Sequence, residues 1–203
     1  PAGLPVDVSR SQPLVLAANH ISWWDAFVIR ELQRAFRPGS PMYTLMTTAE
    51  LNRFPFLRLL GVVEIDGTSQ SSVTRSLRFL SARVTERPDS SVLIFPQGMI
   101  WPSFRRPLGF RRGVSLFAQH LSALIVPVGI HAEPLTRPTP TYFVSMGEIL
   151  PADAEVSTVE RCVSGEIDGI LDLVATHGER TPQAWPAPRR RLEARTDIAS
   201  PWR

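Results

Sequence analysis

The chain predicts an α/β domain, a single mostly parallel or mixed sheet flanked by helices. Two observations carry this. Strand-like and helix-like segments alternate along residues 14–176, as expected of strands joined by helical crossovers. Two of the apolar runs also empty into polar turns, Asn19-His20 and Pro96-Gln97-Gly98, and in α/β folds the carboxyl edge of the sheet is where ligands collect. With 203 residues, one domain is the natural count, and a chain of this size buries enough surface for a full core.

The first strand is expected at residues 14–18, where Leu-Val-Leu-Ala-Ala is continuously apolar, and a helix at 23–35. Residues 42–46 read as the second strand. Thr48 is expected to cap a helix running to about Leu60, with a break at Phe54-Pro55. A short strand covers 61–66. Val73, Leu77, Leu80 and Val84 have helical spacing within 72–87. Residues 91–95 form a buried-strand pattern, followed by a loop rich in Arg and Pro over 99–110. A helix at 112–122, strands at 124–130 and 142–146, and a helix at 156–176 complete the domain. From His177 onward the composition turns to Pro, Arg and Ala, with Arg189-Arg190-Arg191 in the middle, which reads as a surface extension or disorder. The division expected is a domain over residues 1–178 and a C-terminal extension over 179–203.

Composition narrows the function classes. The chain is 43% hydrophobic and 20% charged, and no stretch approaches the ~18 apolar residues of a membrane span. A single cysteine, Cys162, excludes an internal disulfide and a cysteine-rich zinc site. All 22 basic residues are arginine. Guanidinium suits phosphate and carboxylate, although GC-rich coding produces the same bias. The net charge of +3 is modest and the arginines are spread out, which gives no case for nucleic-acid binding.

Asn19-His20-Ile21-Ser22-Trp23-Trp24-Asp25 places a histidine at a strand end and a carboxylate at a helix start. Five helical steps would rotate Asp25 about 140° away from His20, so the two meet only across a turn. Asp25 can then hold the imidazole in one tautomer for proton abstraction. Ser22-Trp23-Trp24-Asp25 equally fits a capping box, with Ser22 as N-cap and Asp25 at the third helical position. In the second motif, Phe95-Pro96-Gln97-Gly98, the glycine lets backbone approach a ligand and frees N–H groups for an anion or an oxyanion. Trp23, Trp24, Phe54-Pro55-Phe56 and Trp101-Pro102-Ser103-Phe104 fit either packing or an apolar surface at a lipid interface. His120, His131 and His177 read as structural or solvated.

In order, the chain carries Asn19-His20-x-x-x-x-Asp25, Gly61-Val62-Val63-Glu64-Ile65-Asp66-Gly67, Phe95-Pro96-Gln97-Gly98 and Ile125-Val126-Pro127-Val128. This succession resembles the glycerolipid acyltransferase family, whose best-known members acylate lysophosphatidic acid. The resemblance implies that family's glycerol-3-phosphate acyltransferase-like fold, with His20 as general base and Asp25 orienting it. It also implies Asn19, Pro96, Gln97 and Gly98 near the reacting groups. No cofactor is implied beyond acyl-CoA or acyl-carrier protein as co-substrate. The implied partners are that donor, a lipid acceptor and a peripheral membrane surface, with a cytoplasmic location at the inner face of the cell membrane.

The sequence departs from the family on the acceptor side. Gly67 stands where the second block carries Arg, and Gln97, Met99 and Ile100 replace Glu, Thr and Arg of the third. Two such arginines are thought to hold an acceptor phosphate, and each lost charge-assisted contact costs about 1.5–3 kcal/mol. The acceptor expected is therefore a neutral hydroxyl on a polar lipid or glycosylated carotenoid. The rival is a glycerol phosphate acceptor, as in phospholipid synthesis, with Arg105, Arg106, Arg111 or Arg112 substituting in space. A non-catalytic lipid-binding protein is a further alternative. A hydrolase is less favoured because no G-x-S-x-G elbow occurs.

Overall fold

The structure is a computed structural model that describes residues 11–135 and 139–178. The expected extension over 179–203 lies outside the described residues. Six strands form one sheet in the order β3-β2-β4-β1-β5-β6. These are β1 (Leu14–Ala18), β2 (Met42–Thr47), β3 (Val62–Ile65), β4 (Ser91–Ile94), β5 (Leu124–Glu133) and β6 (Thr141–Met146). The strands β1 to β5 are parallel, and β6 closes the edge antiparallel to β5. The α/β expectation holds, and the sheet is mixed.

Strand β1 lies between β4 and β5 and is buried along its whole length. That explains its unbroken apolar run, since a central parallel strand is covered on both faces. Alternate residues supply the two faces. Val15 and Ala17 join the core beneath α3 (Gln70–Glu86), α4 (Gly113–His120) and α5 (Val156–His177). Leu14, Leu16 and Ala18 join Ile29 of α1 (Asp25–Phe36) on the opposite face.

The connections therefore diverge. The chain leaving β1 crosses through α1 on one face, and the chain leaving β4 crosses through α4 on the other. The adjacent carboxyl ends of β1 and β4 form a topological switch point, where such sheets open a crevice. Asn19-His20 leaves one of these ends and Phe95-Pro96-Gln97-Gly98 the other.

Several boundaries differ from expectation. Helix α1 starts at Asp25 rather than Trp23, because residues 21–24 form a turn around the Asp25 carboxylate. Thr47, not Thr48, caps α2 (Thr48–Arg53), its hydroxyl accepting from the Glu50 N–H at 3.4 Å. The expected break falls at Phe54, after which a 3₁₀ helix runs over Pro55–Leu60. Helix α4 is shorter than expected because the chain turns at Leu121 and Ser122. Strand β5 continues to Glu133 because β6 pairs with it from Val128 onward.

Candidate functional site

Each end of the switch-point crevice is anchored by side chains that bond backbone. Asn19 is buried, with Nδ2 donating to Ile130 O at 2.9 Å and Oδ1 accepting from Ile130 N at 2.7 Å. It ties the end of β1 to β5 and has no free polar atom to offer. The expectation of substrate contact at Asn19 is thereby corrected to positioning of its neighbour.

His20 is fixed on four sides. Its N–H donates to Oε1 of Gln97 at 2.7 Å, and its carbonyl accepts from the Trp101 N–H at 2.8 Å. Its ring stacks on Phe95 with centroids 4.2 Å apart, and Nδ1 lies 2.8 Å from Oδ2 of Asp25. The side chain keeps 22% of its surface exposed.

Asp25 is fully buried and orients the imidazole, but the expected capping box does not form, because Asp25 is the first residue of α1 and Trp24 stands at the N-cap without a side-chain cap bond. Oδ2 also accepts from the N–H groups of Ile21 at 2.6 Å and Ser22 at 2.9 Å, which closes the turn ahead of α1. Oδ1 accepts from the Ser22 hydroxyl at 2.6 Å. That hydroxyl in turn accepts from Tyr142 at 2.8 Å and from the Trp24 N–H at 3.1 Å. The carboxylate has only acceptors to offer, so the proton it shares with His20 belongs on Nδ1. Nε2 then carries the lone pair and is the nitrogen able to take a proton.

The second half of the site is the turn Phe95-Pro96-Gln97-Gly98. Gly98 adopts φ +71, and its N–H closes the turn on Phe95 O at 3.0 Å. That N–H is therefore not free for an oxyanion, which corrects the expectation for this glycine. The turn is held from below by the Arg111 N–H, which donates to Pro96 O at 3.0 Å. The Arg111 guanidinium lies against Gly98, where a Cβ would come within 3.0 Å of Nη1. Pro96 is buried and shapes the turn, its carbonyl being the group that the Arg111 N–H holds.

The four expected arginines separate. Arg106 is paired with Asp168 of α5 and also bonds Ser103 O, so it holds its loop onto α5 instead of offering a free cation. Arg105 sits over the Trp101 ring, 3.2 Å from the centroid. Arg111 and Arg112 are exposed and have no acidic partner among the described residues, and of the two it is the Arg111 guanidinium that lies beside the Gly98 turn.

One cluster was not foreseen. Ser103 Oγ lies 2.7 Å from Nδ1 of His131, whose Nε2 lies 3.1 Å from Glu133. Ser103 and His131 are both buried, and the chain pins the 99–110 loop to β5 beside His20. Their 28-residue separation carries no local signal from which a sequence reading could have found the pair.

Flanking His20 is a run of touching aromatic rings: Trp24 on Trp23, Trp23 on Phe27 and Phe54, and Phe54 on Phe56. Trp24, Phe56 and Leu59 expose 57%, 51% and 89% of their surface, too much for a core cluster. No helix among the described residues is long and apolar enough to cross a membrane.

A strand-end histidine held by a buried carboxylate, beside a Pro-x-Gly turn, is a proton acceptor without a nucleophile of its own. A family model described as Acyltransferase matches residues 5–131, which contain both halves of the crevice. The chain belongs to the Acyltransferase family. Its general activity is thus acyl transfer, and the matched span ends within β5, one residue past Ile130, which receives the Asn19 clip. No curated protein matches this acyltransferase closely enough to add a named relative.

Proposed function

We propose that this acyltransferase moves a fatty acyl group from acyl-CoA or acyl-carrier protein to a hydroxyl of a polar lipid, at the inner face of the cell membrane. The observation that carries the reading is the His20–Asp25 contact, which leaves Nε2 of a half-open imidazole with its lone pair. Nε2 takes the proton of the acceptor hydroxyl as its oxygen attacks the thioester carbonyl carbon. The carbonyl π electrons move onto oxygen to give a tetrahedral oxyanion. When the carbonyl re-forms, the C–S bond breaks and the thiolate takes the proton back from Nε2. Asp25 stabilises the imidazolium between these two transfers. The thioester is the only co-substrate this sequence of steps requires.

The exposed Trp24, Phe56 and Leu59 support a membrane-facing orientation, since tryptophan is favoured at the lipid interface and a lipid acceptor lies there. Gly67 and Ile100, in place of the family arginines, support an uncharged acceptor. Arg111 against Gly98 favours a second reading, in which a phosphorylated acceptor is held by this guanidinium instead.

Radiolabelled acyl transfer to a total lipid extract tests the proposal. Wild type should label a lipid, and His20→Ala should lower the rate about 10²–10⁴-fold, the usual worth of a general base. Absence of transfer by wild type across several thioester donors would sink it. Faster acylation of lysophosphatidic acid than of any neutral lipid, abolished by Arg111→Ala, would establish the second reading.

A further inference from the structure

We propose that Tyr142 is a positioning residue for acyl transfer, holding through Ser22 the carboxylate that orients His20. The inference rests on the reading of His20 as the base, and it adds a residue from β6, which lies beyond the span that the family model matches. An ionised carboxylate only accepts, so the Ser22 hydroxyl places its single proton on Oδ1 of Asp25 at 2.6 Å. The Tyr142 hydroxyl, 2.8 Å from Ser22 Oγ, is then the donor of that pair. The Trp24 N–H takes the second lone pair at 3.1 Å. A hydroxyl has one proton and two lone pairs, and here all three are engaged.

The consequence reaches the base. Oδ2 accepts from the N–H groups of Ile21 and Ser22 and faces Nδ1 of His20, so every hydrogen-bond partner of the buried carboxylate among the described residues is a donor. None of these partners has a lone pair left to receive a proton from Asp25, and the carboxylate meets the imidazolium as an ion. Because Ser22 accepts from Tyr142 while donating to Asp25, the phenol O–H strengthens the Ser22 bond to Oδ1. Without that O–H, one Ser22 lone pair is open and the hydroxyl can rotate its proton off Oδ1. The carboxylate is then held at Oδ2 alone and can turn about its Cβ–Cγ bond, which disturbs the contact with Nδ1. The loss falls on the step in which His20 carries charge, and not on substrate binding.

Tyr142→Phe, which removes the O–H and keeps the ring, tests this in the acyl-transfer assay. Its kcat should fall about 3–10-fold, the worth of one hydrogen bond, with both KM values unchanged. The melting temperature should fall by no more than about 4 °C. Ser22→Ala breaks the chain one link nearer Asp25, and in that background Tyr142→Phe should lower kcat no further. An unchanged kcat in Tyr142→Phe overturns the proposal, as does a loss carried by KM. Losses that multiply in the double variant overturn it too, since Tyr142 would then act by a route other than Ser22. His20→Ala separates this proposal from the reading beneath it. An inactive His20→Ala enzyme beside a fully active Tyr142→Phe enzyme overturns the role of Tyr142 alone. A His20→Ala enzyme that keeps wild-type kcat overturns the base and the positioning role together.

Discussion

At the scale of single residues, Asp25 shows how a local motif acquires a chemical role. Its carboxylate gathers four donors, three of them from the turn that starts α1 and one from the His20 ring. Closing the turn before α1 and orienting the imidazole are therefore one arrangement. Asp25→Asn retains an oxygen for the Oδ2 donors while removing the charge that stabilises the imidazolium. It should fold, with a kcat reduced about 10²–10⁴-fold. Asp25→Ala, by contrast, leaves buried donors unpaired and should also lower the melting temperature, each orphaned group costing about 1–3 kcal/mol. A scan of both variants beside the acyl-transfer assay checks the split, and an unimpaired Asp25→Asn enzyme would refute the role given to the charge. This pair was legible in the sequence because a turn of only four residues separates its members. Gln97 was legible only as a departure from a family block, since its partner lies 77 residues away.

At the scale of elements, the short α2 leads into a 3₁₀ helix that presents Phe56, Leu59 and Leu60 outward. Thr47 caps the first, Pro55 opens the second, and Gly61 ends it at φ +82. The packing beneath them is complete without Leu59, which is the most exposed of the large apolar residues. Leu59→Asp should leave the melting temperature within about 2 °C, because exposed sites away from packing change stability little. The same variant should cosediment less with phosphatidylglycerol–phosphatidylcholine vesicles than wild type. Equal cosedimentation would remove the membrane role of this face. The boundaries of these elements were the part least legible in the sequence. Phe54-Pro55 signals a break, but which of Thr47 and Thr48 caps the helix depends on hydrogen bonds that neighbouring residue types leave open.

At the scale of the molecule, the crevice depends on how closely the helical layers approach the sheet. Gly129 of β5 faces α5, where a Cβ would meet Glu166 Cβ at 2.8 Å and the Ile167 nitrogen at 2.9 Å. Part of that contact is backbone and cannot rotate away. Gly129→Ala should destabilise the fold by about 1–3 kcal/mol, as overpacking does, and displace α5 from the strand that Asn19 clips. Denaturant unfolding measures it, and an unchanged midpoint would contradict the contact.

On the opposite edge of the core, Arg87 donates through Nε and Nη2 to the two oxygens of Asp89, each at 3.0 Å, and Ser40 adds a hydroxyl at 2.7 Å. The Arg87 hydrogen bond, first among these contacts, holds the Asp89 carboxyl below its ordinary value. A depressed carboxyl contributes stability that is present above its unfolded value of about 3.9 and is lost as pH falls through the lower folded value. Arg87→Gln should therefore melt below wild type at pH 6, and the gap should narrow as pH drops below about 4. A gap that widens toward acid would reverse the sign and rule out this linkage.

The sequence by itself determined the α/β class, the central buried strand, the strand-end histidine with its carboxylate and the Phe-Pro-Gln-Gly turn. Each is written in side-chain alternation or in a few adjacent residues, where backbone geometry alone relates the parts. Only the tertiary structure decided that Asn19 is a clip, that Gln97 grips His20, that Ser103 meets His131, and which arginines keep a free charge. Those outcomes depend on strand order and on the opposite crossovers of β1 and β4, which bring distant segments within hydrogen-bond reach. No local pattern encodes that adjacency, because it arises from packing two helical layers against one sheet.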